Sequence, residues 1–300
     1  MKIGIDVGGS HIGLGIVDER GNILIKCEKD YEQKKDNMSQ IVIETIIELI
    51  NEATIKANIK KEEIEKIGIA LPGTVSGGML IKAENLGIEN LKIADILKKE
   101  FQCEVNLEND AKCAAMAEKN FGSLKNYDDA LFLIVGTGIG GAAFLNNKML
   151  KPKRYSGFEV GHTVIEKDGL KCNCGRKGCF EVYCSMKRLK EKIKEEFNLK
   201  TINGKEIKKF IIENKQNEKL NNILDTYIEY LSLGIANLIN ILEPEAISIG
   251  GSFAHYKEIL LEKLENKILE NKELYNKENP PKIVIAELKN DAGIIGAAMI

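Results

Sequence analysis

His162 is followed by Cys172, Cys174 and Cys179 in the stretch 157–181, GFEVGHTVIEKDGLKCNCGRKGCFE. One imidazole and three thiolates make a complete tetrahedral shell for zinc, with no position left for water. Gly175 and Gly178 let the backbone turn tightly enough for three sulfurs to converge. A closed Cys3His site is structural, and such sites contribute about 10–16 kcal/mol of apparent binding free energy to folding. The other reading of these residues is a disulfide or a set of small buried side chains. The spacing Cys-x-Cys-Gly-x-x-Gly-Cys favours the metal. Two carboxylates bracket the knot, Glu159 before His162 and Glu181 after Cys179. Held by a rigid metal site, they make a platform for a polyhydroxylated ligand; on this stretch alone they read equally well as surface charges.

The remaining chain must supply the elements that position this knot. Its 300 residues allow two domains. With 43 basic and 45 acidic residues, the net charge of −2 gives no footprint for nucleic acid and no polybasic membrane anchor. Trp is absent and aromatics make up 6%, so the core is aliphatic, which suits an α/β architecture. The opening MKIGIDVGG lacks a signal-peptide pattern, and no apolar run approaches the ~20 residues that span a bilayer. Seven cysteines without a signal peptide imply a reducing, cytoplasmic setting. Cys27, Cys103, Cys113 and Cys184 read as small buried hydrophobes.

KIGIDV at 2–7 is a strand, Gly8-Gly9-Ser10 a tight turn, and IGLGIV and ILIK two further strands. Such a hairpin can wrap a phosphate, and Asp6 at the strand end could orient a metal-bound water; an ordinary hairpin is the plainer reading. ALFLIV at 130–135 runs into Gly136-Thr137-Gly138-Ile139-Gly140-Gly141. This matches G-x-G-x-x-G, but the dinucleotide fingerprint needs a helix next. Here AAFLNNKML follows and reads as a strand and an Asn-Asn turn, so the Rossmann reading is rejected. The order instead repeats that of residues 2–26, which suggests two copies of one unit clamping a nucleotide.

Between the copies, 37–57 reads as a helix capped by Asn37 or Ser39, and 65–73 as a strand ending at Pro72-Gly73. Residues 76–90 read as loop, 94–101 as a helix and CEVNLE as a strand. Asn109-Asp110 then opens a helix that Gly122 ends. Asp110 is either the N-cap of that helix, a carboxylate facing a cleft, or both. Past the knot, 186–198 and 205–219 read as solvated helices and 219–243 as an amphipathic helix ended by Pro244. A strand at 246–251 ends in Gly250-Gly251, whose bare backbone admits a flat base. A helix through 253–271, a strand at 282–288 and a small-residue helix close the chain. No linker separates two domains. The expected division is a small N-terminal domain, 1–108, joined by the last helix at about 290–300, and a larger domain, 109–289, holding the knot.

The motifs IDVGGSH, ALPGTVSGG, LENDAKCAA, VGTGIGGA, GFEVGH, CNCGRKGCFE and SIGGS, in this order over the whole chain, resemble those of the ROK-family sugar kinases. The resemblance implies the actin-like ATPase (ribonuclease H-like) fold, two α/β domains around a cleft. It implies that Asp110 is the general base for a sugar hydroxyl, and that Asn109, Asp110, Glu159, His162 and Glu181, beside Gly73, hold the sugar. It places Gly8, Gly9 and Ser10 on one side of the ATP phosphates, Gly136, Thr137, Gly138, Gly140 and Gly141 on the other, and Gly250 and Gly251 near adenosine. His162, Cys172, Cys174 and Cys179 would bind structural zinc. Family members commonly carry Lys where this chain has His11, so the first loop loses a fixed positive charge.

The implied activity is transfer of phosphate from Mg2+-ATP to a hexose, glucose first. Fructose, mannose, N-acetylglucosamine and N-acetylmannosamine are the alternatives, with polyphosphate a further donor. The implied assembly is a homodimer or homotetramer. Some family members are sugar-responsive repressors with a helix-turn-helix before the first glycine loop. Here that loop begins at Gly8, so a kinase without nucleic-acid or membrane partners is expected. An inactive zinc-stabilised sugar binder is the third reading, disfavoured by Asp110 and two phosphate loops.

Overall fold

A computed structural model of the chain describes residues 1–32, 37–152, 157–270 and 274–300. In chain order its elements are β1 (Lys2–Val7), β2 (His11–Val17), β3 (Ile23–Asp30), α1 (Met38–Ala57), β4 (Lys66–Leu71), β5 (Thr74–Ser76), β6 (Met79–Ala83) and β7 (Ile88–Leu91). Then come α2 (Ile93–Phe101), β8 (Glu104–Asn109), α3 (Asp110–Phe121), β9 (Ala130–Val135), β10 (Ile139–Leu145) and β11 (Lys148–Met149). The remainder is α4 (Phe180–Cys184), α5 (Met186–Phe197), α6 (Gly204–Glu213), α7 (Glu218–Leu242), β12 (Ala246–Gly250), α8 (Lys257–Glu270), β13 (Lys282–Ile285) and α9 (Ala292–Ala297).

Two compact units result. The first comprises Met1–Lys125, Leu150–Gly157 and Glu287–Ile300; the second comprises Asn126–Met149 and Phe158–Ala286. The first unit therefore runs past the division placed near residue 108, because α3 packs against α9 and stays with it.

The first unit's sheet has the order β3-β2-β1-β4-β8. β1 pairs antiparallel with β2, and β4 and β8 run parallel to β1. The alternation of strand side chains explains its two faces. Ile3, Ile5, Ile67 and Ile69 point into a core with Val42, Ile46, Leu49 and Ile50 of α1. On the other face Gly4 sits in register between Gly15 and Gly68. A Cβ there would lie 1.9 Å from the Ile294 carbonyl oxygen at Gly4, and 1.7 Å from that of Ala297 at Gly68. The row of glycines is what lets α9, itself built of small residues, lie flat on the sheet.

Residues 76–90 hold strands joined by turns rather than mainly loop. β5, β6 and β7 form a three-stranded sheet, turned by Gly77 and Gly78 at φ +57° and +76°. Two consecutive left-handed residues match the natural twist of a hairpin. Val75, Leu80, Ala83 and Ile88 bury into the same core as α1.

The second unit repeats the first sheet, with order β11-β10-β9-β12-β13 and the same sequence of antiparallel and parallel pairings. A strand and not a helix follows Gly136–Gly138, and Asn146 and Asn147 at φ +51° and +63° turn it into β11. The helix expected through 253–271 starts as a 3-10 turn, Gly251–Tyr256, before α8; residue 271 lies outside the described residues. Among the described residues no helix is long and apolar enough to cross a membrane.

Candidate functional site

In the first unit the candidate residues gather at the carboxyl ends of β1, β4 and β8. Parallel register sets Asp6 beside Ala70 and Leu71 beside Asn109, so the segments leaving these strands are neighbours. Asn109, and not Asp110, caps α3: its Oδ1 accepts from the N–H groups of Ala111 (3.1 Å) and Lys112 (3.3 Å). Its Nδ2 donates to the Gly73 carbonyl at 3.1 Å, tying the Pro72-Gly73 loop to the start of α3. Gly73 has φ +95°, and a Cβ would meet the Lys82 carbonyl oxygen at 2.2 Å, so only glycine fits. With the cap supplied by its neighbour, Asp110 at the first helical position is not required for capping. Its Oδ1 lies 2.8 Å from the Ala111 N–H.

Asp6 ends β1. Its side chain is recessed, with some solvent access left, and Gly293 of α9 packs on it. Burial, then the like charge of Asp110, push its carboxyl from 3.8 up to about 7, with His11 opposing. A carboxylate this poorly compensated fits a divalent cation, which supplies the missing charge. In the adjoining turn the Gly8 N–H donates to the His11 carbonyl at 2.8 Å, so that N–H is spent on the turn. His11 Nδ1 lies 2.7 Å from Asp30 Oδ1. Tyr31 was not anticipated: its hydroxyl donates to the Gly8 carbonyl and its N–H to that of Ser10 (3.0 Å). Burial raises its phenol to about 12, keeping it a donor. Glu108 was also missed; it is largely buried beside Asn109 and paired with Lys151 at 2.8 Å. No motif marks Tyr31, and Glu108 lies in the LENDAKCAA stretch with no role assigned to it.

In the second unit the ligand atoms of His162, Cys172, Cys174 and Cys179 all lie within 4.8 Å of one another. Cys174 and Cys179 Sγ are 3.6 Å apart, and Cys172 Sγ is 3.7 Å from His162 Nδ1. Tetrahedral zinc with Zn–S near 2.3 Å requires sulfurs about 3.8 Å apart. A disulfide would bring them to about 2.05 Å, and all seven cysteines are free. The knot is a knuckle closed by Cys172 N–H on the Arg176 carbonyl (2.8 Å) and by Gly175 N–H on the Cys172 carbonyl (3.0 Å). Gly175 takes φ +88° there. Burial raises the Cys172 and Cys179 thiols, while hydrogen bonds from Arg176 lower Cys174. The residues fit zinc, which would hold all three as thiolates. Cys27, Cys113 and Cys184 are buried as expected of small hydrophobes, but Cys103 is only partly so.

Glu181 stands in the first turn of the short helix α4 and bridges the knot to the glycine turn. Its Oε1 lies 3.4 Å from Cys172 Sγ and 3.6 Å from His162 Nδ1; its Oε2 lies 3.5 Å from the Ile139 N–H. Glu159 is exposed and leads into the 3-10 turn Val160–His162, its carbonyl accepting the His162 N–H at 3.0 Å. The turn itself is Gly136-Thr137-Gly138, closed by the Gly136 N–H on the Gly138 carbonyl (2.9 Å). Gly140 and Gly141 lie inside β10, paired with Ile134 and Leu133, rather than in the turn. Gly141 is glycine because a Cβ would sit 2.4 Å from the Phe132 carbonyl oxygen. Gly250 packs on the Phe132 ring, and Gly251 at φ +71° on the Val135 carbonyl, so packing on β9 accounts for both.

The sequence profile of the ROK family matches residues 2–300. The chain belongs to the ROK family. A glucokinase of Thermotoga maritima is 30% identical over 314 residues, covering 99% of this chain and 96% of that one. A xylose repressor of Caldicellulosiruptor bescii is 29% identical over 309 residues, covering 98% of this chain and 76% of the repressor. A solved structure of a ROK family glucokinase from Streptomyces griseus, in complex with glucose and AMPPNP, matches with a TM-score of 0.82 at 25% identity over 99% and 98% of the two chains. The ROK chain thus has the actin-like ATPase fold in two α/β units. Each unit brings its own share of the candidate residues together. Asp6, Gly8, Gly9, Ser10, His11, Gly73, Asn109 and Asp110 fall in the first; Thr137 with its glycines, Glu159, the four candidate metal ligands, Glu181, Gly250 and Gly251 fall in the second.

Proposed function

We propose that the protein is an ATP-dependent sugar kinase that phosphorylates a hexose hydroxyl, with glucose the first substrate to test. The observation that carries the reading is the start of α3. There Asn109 caps the helix and binds the Gly73 loop, leaving Asp110 at a strand's carboxyl end beside Asp6 and the first glycine turn. The likeness to a glucokinase over nearly the whole chain supports it.

In this reading Asp110 accepts the proton of the attacking hydroxyl. Phosphoryl transfer has a loose transition state, so placement counts for more than base strength, and an ordinary carboxylate suffices. Asn109, Gly73, Glu159, His162 and Glu181 are the residues assigned to the sugar in this reading. The zinc knot is structural: it fixes His162 and Glu181. The two glycine turns hold the phosphates. Magnesium, when bound with ATP, neutralises charge on the transferring phosphate, and Asp6 would hold its water shell. Release of ADP from Mg-ATP against a panel of hexoses, N-acetylhexosamines and polyphosphate controls tests the reading. Turnover with one sugar supports it; none with any, in zinc-replete protein, overturns it for that panel.

A second reading follows from the likeness to a xylose repressor. The same sugar site would then report sugar without turning it over. Saturable sugar binding without ADP release would favour it.

A further inference from the structure

The chain passes between the two units after Lys125, Met149, Gly157 and Ala286. Two of these crossings leave from residues held by one side chain. Glu118 of α3 is fully enclosed. Its Oε2 accepts from the Ser123 N–H at 2.8 Å and the Ser123 hydroxyl at 2.7 Å. Its Oε1 accepts from the Leu288 N–H at 2.7 Å. Ser123 stands just before the first crossing and Leu288 just after the last. The Glu118 carbonyl also accepts from the N–H groups of Gly122 (3.1 Å) and Leu124 (3.0 Å). A Cβ at Gly122 would lie 2.2 Å from Glu118 Oε2, so the turn leaves room for the carboxylate and for nothing larger than hydrogen beside it.

A buried acid is costly unless its oxygens are satisfied, and here both are, by donors from two separate stretches of chain. The position takes no part in the chemistry proposed above. We infer that Glu118 is a positioning residue, which pins the first and last crossings to the helix that begins with Asp110. Its kinetic consequence rests on the kinase reading; the anchoring does not. The site calls for a carboxylate in particular. Both oxygens face N–H or O–H donors, and an amide has an acceptor at one end only. Glutamine must therefore release Leu288 or Ser123 and set its own N–H2 against a donor.

The test uses the full, zinc-loaded chain and compares wild type with Glu118→Gln, Glu118→Asp and Ser123→Ala. Backbone hydrogen exchange is followed at Ser123 and Leu288, with α1 amides as the reference. In Glu118→Gln, exchange at Leu288 or Ser123 is expected to rise by about tenfold or more over the reference. kcat is expected to fall by about tenfold or more at unchanged zinc content and unchanged sugar affinity without nucleotide, since misplacement far from the chemistry costs rate. Glu118→Asp, with both oxygens kept, should recover part of each. Unchanged exchange at both amides overturns the anchor, and raised exchange with unchanged kcat overturns its positioning role. Should Glu118→Gln not fold, Ser123→Ala removes the hydroxyl's bond to Glu118 Oε2 and is judged by the same two criteria. A wild type inactive on every sugar sinks the kinase reading, while exchange at Ser123 and Leu288 still decides the anchor.

Discussion

Replacing Asp6 by Asn should make the protein more stable at pH 8, with a smaller gain at pH 5. Burial and the charge of Asp110 raise the Asp6 carboxyl from 3.8 to about 7. In the unfolded chain it titrates near the ordinary value of about 4. Between the two, the folded protein holds a proton that the unfolded chain has lost. Stability therefore falls as pH rises through this window and is lowest above 7. A rise from 3.8 to about 7 corresponds to about 4 kcal/mol of extra cost for the charged form. The solvent access left to Asp6 screens part of that, so the expected gain is on the order of 1–3 kcal/mol. Asparagine keeps the shape and removes the charge. Thermal unfolding of zinc-loaded protein, without nucleotide or magnesium, is the assay. The Tm difference should grow from about a third of its full size at pH 5 to several degrees at pH 8, at roughly 2–4 °C per kcal/mol for units of this size. Mg-nucleotide should narrow the gap by stabilising the wild type alone, and the variant should lose turnover, since a strained site trades stability for activity. A difference independent of pH, or a variant less stable at pH 8, would refute the reasoning.

Three further outcomes follow from the same geometry. Cys179→Ser should release zinc, measured as metal per chain, and abolish sugar binding by calorimetry; normal sugar affinity in zinc-free protein would show that the knot does not support the site. Gly138→Ala sets a Cβ 2.7 Å from Glu181 Oε2 and should displace that carboxylate, lowering sugar affinity by about tenfold with zinc retained, if one charge-assisted hydrogen bond is lost. Gly296→Ala drives a Cβ to within 1.7 Å of the Cys113 carbonyl oxygen where α9 meets α3. It should cost at least about 1–3 kcal/mol by denaturant titration, with zinc content unchanged.

What could be read in the sequence was whatever depends on local pattern. The repeated strand–turn–strand order predicted two copies of one three-stranded unit, which form β1–β3 and β9–β11 of the two sheets, because the turn glycines, Asn146-Asn147 and the alternating aliphatics are local signals. The convergence of His162, Cys172, Cys174 and Cys179 was legible because spacing limits which side chains can meet, and the folded knot brings their ligand atoms within 4.8 Å. What was hidden depends on non-local packing. Gly140 and Gly141 looked like turn residues, yet Gly141 is glycine because the Phe132 carbonyl leaves no room. The hairpin at Gly77-Gly78 was read as loop because its strands are short and its buried residues few. Asp110 looked like the cap because either residue of Asn109-Asp110 could serve, and only the folded chain shows that Asn109 does. The roles of Glu118, Tyr31 and Glu108 are not marked by any local spacing; their partners lie 170, 23 and 43 positions away in the chain (Leu288, Gly8 and Lys151).

The central claim is that this chain moves a phosphoryl group to a sugar with Asp110 as the base. The most direct measurement is ADP release and sugar binding by Asp110→Asn beside wild type, on the sugar the wild type prefers. Turnover lower by about 10²-fold or more, with sugar affinity within a few fold, is the predicted result for loss of a group acting in the transition state. Undiminished turnover in the variant would contradict it.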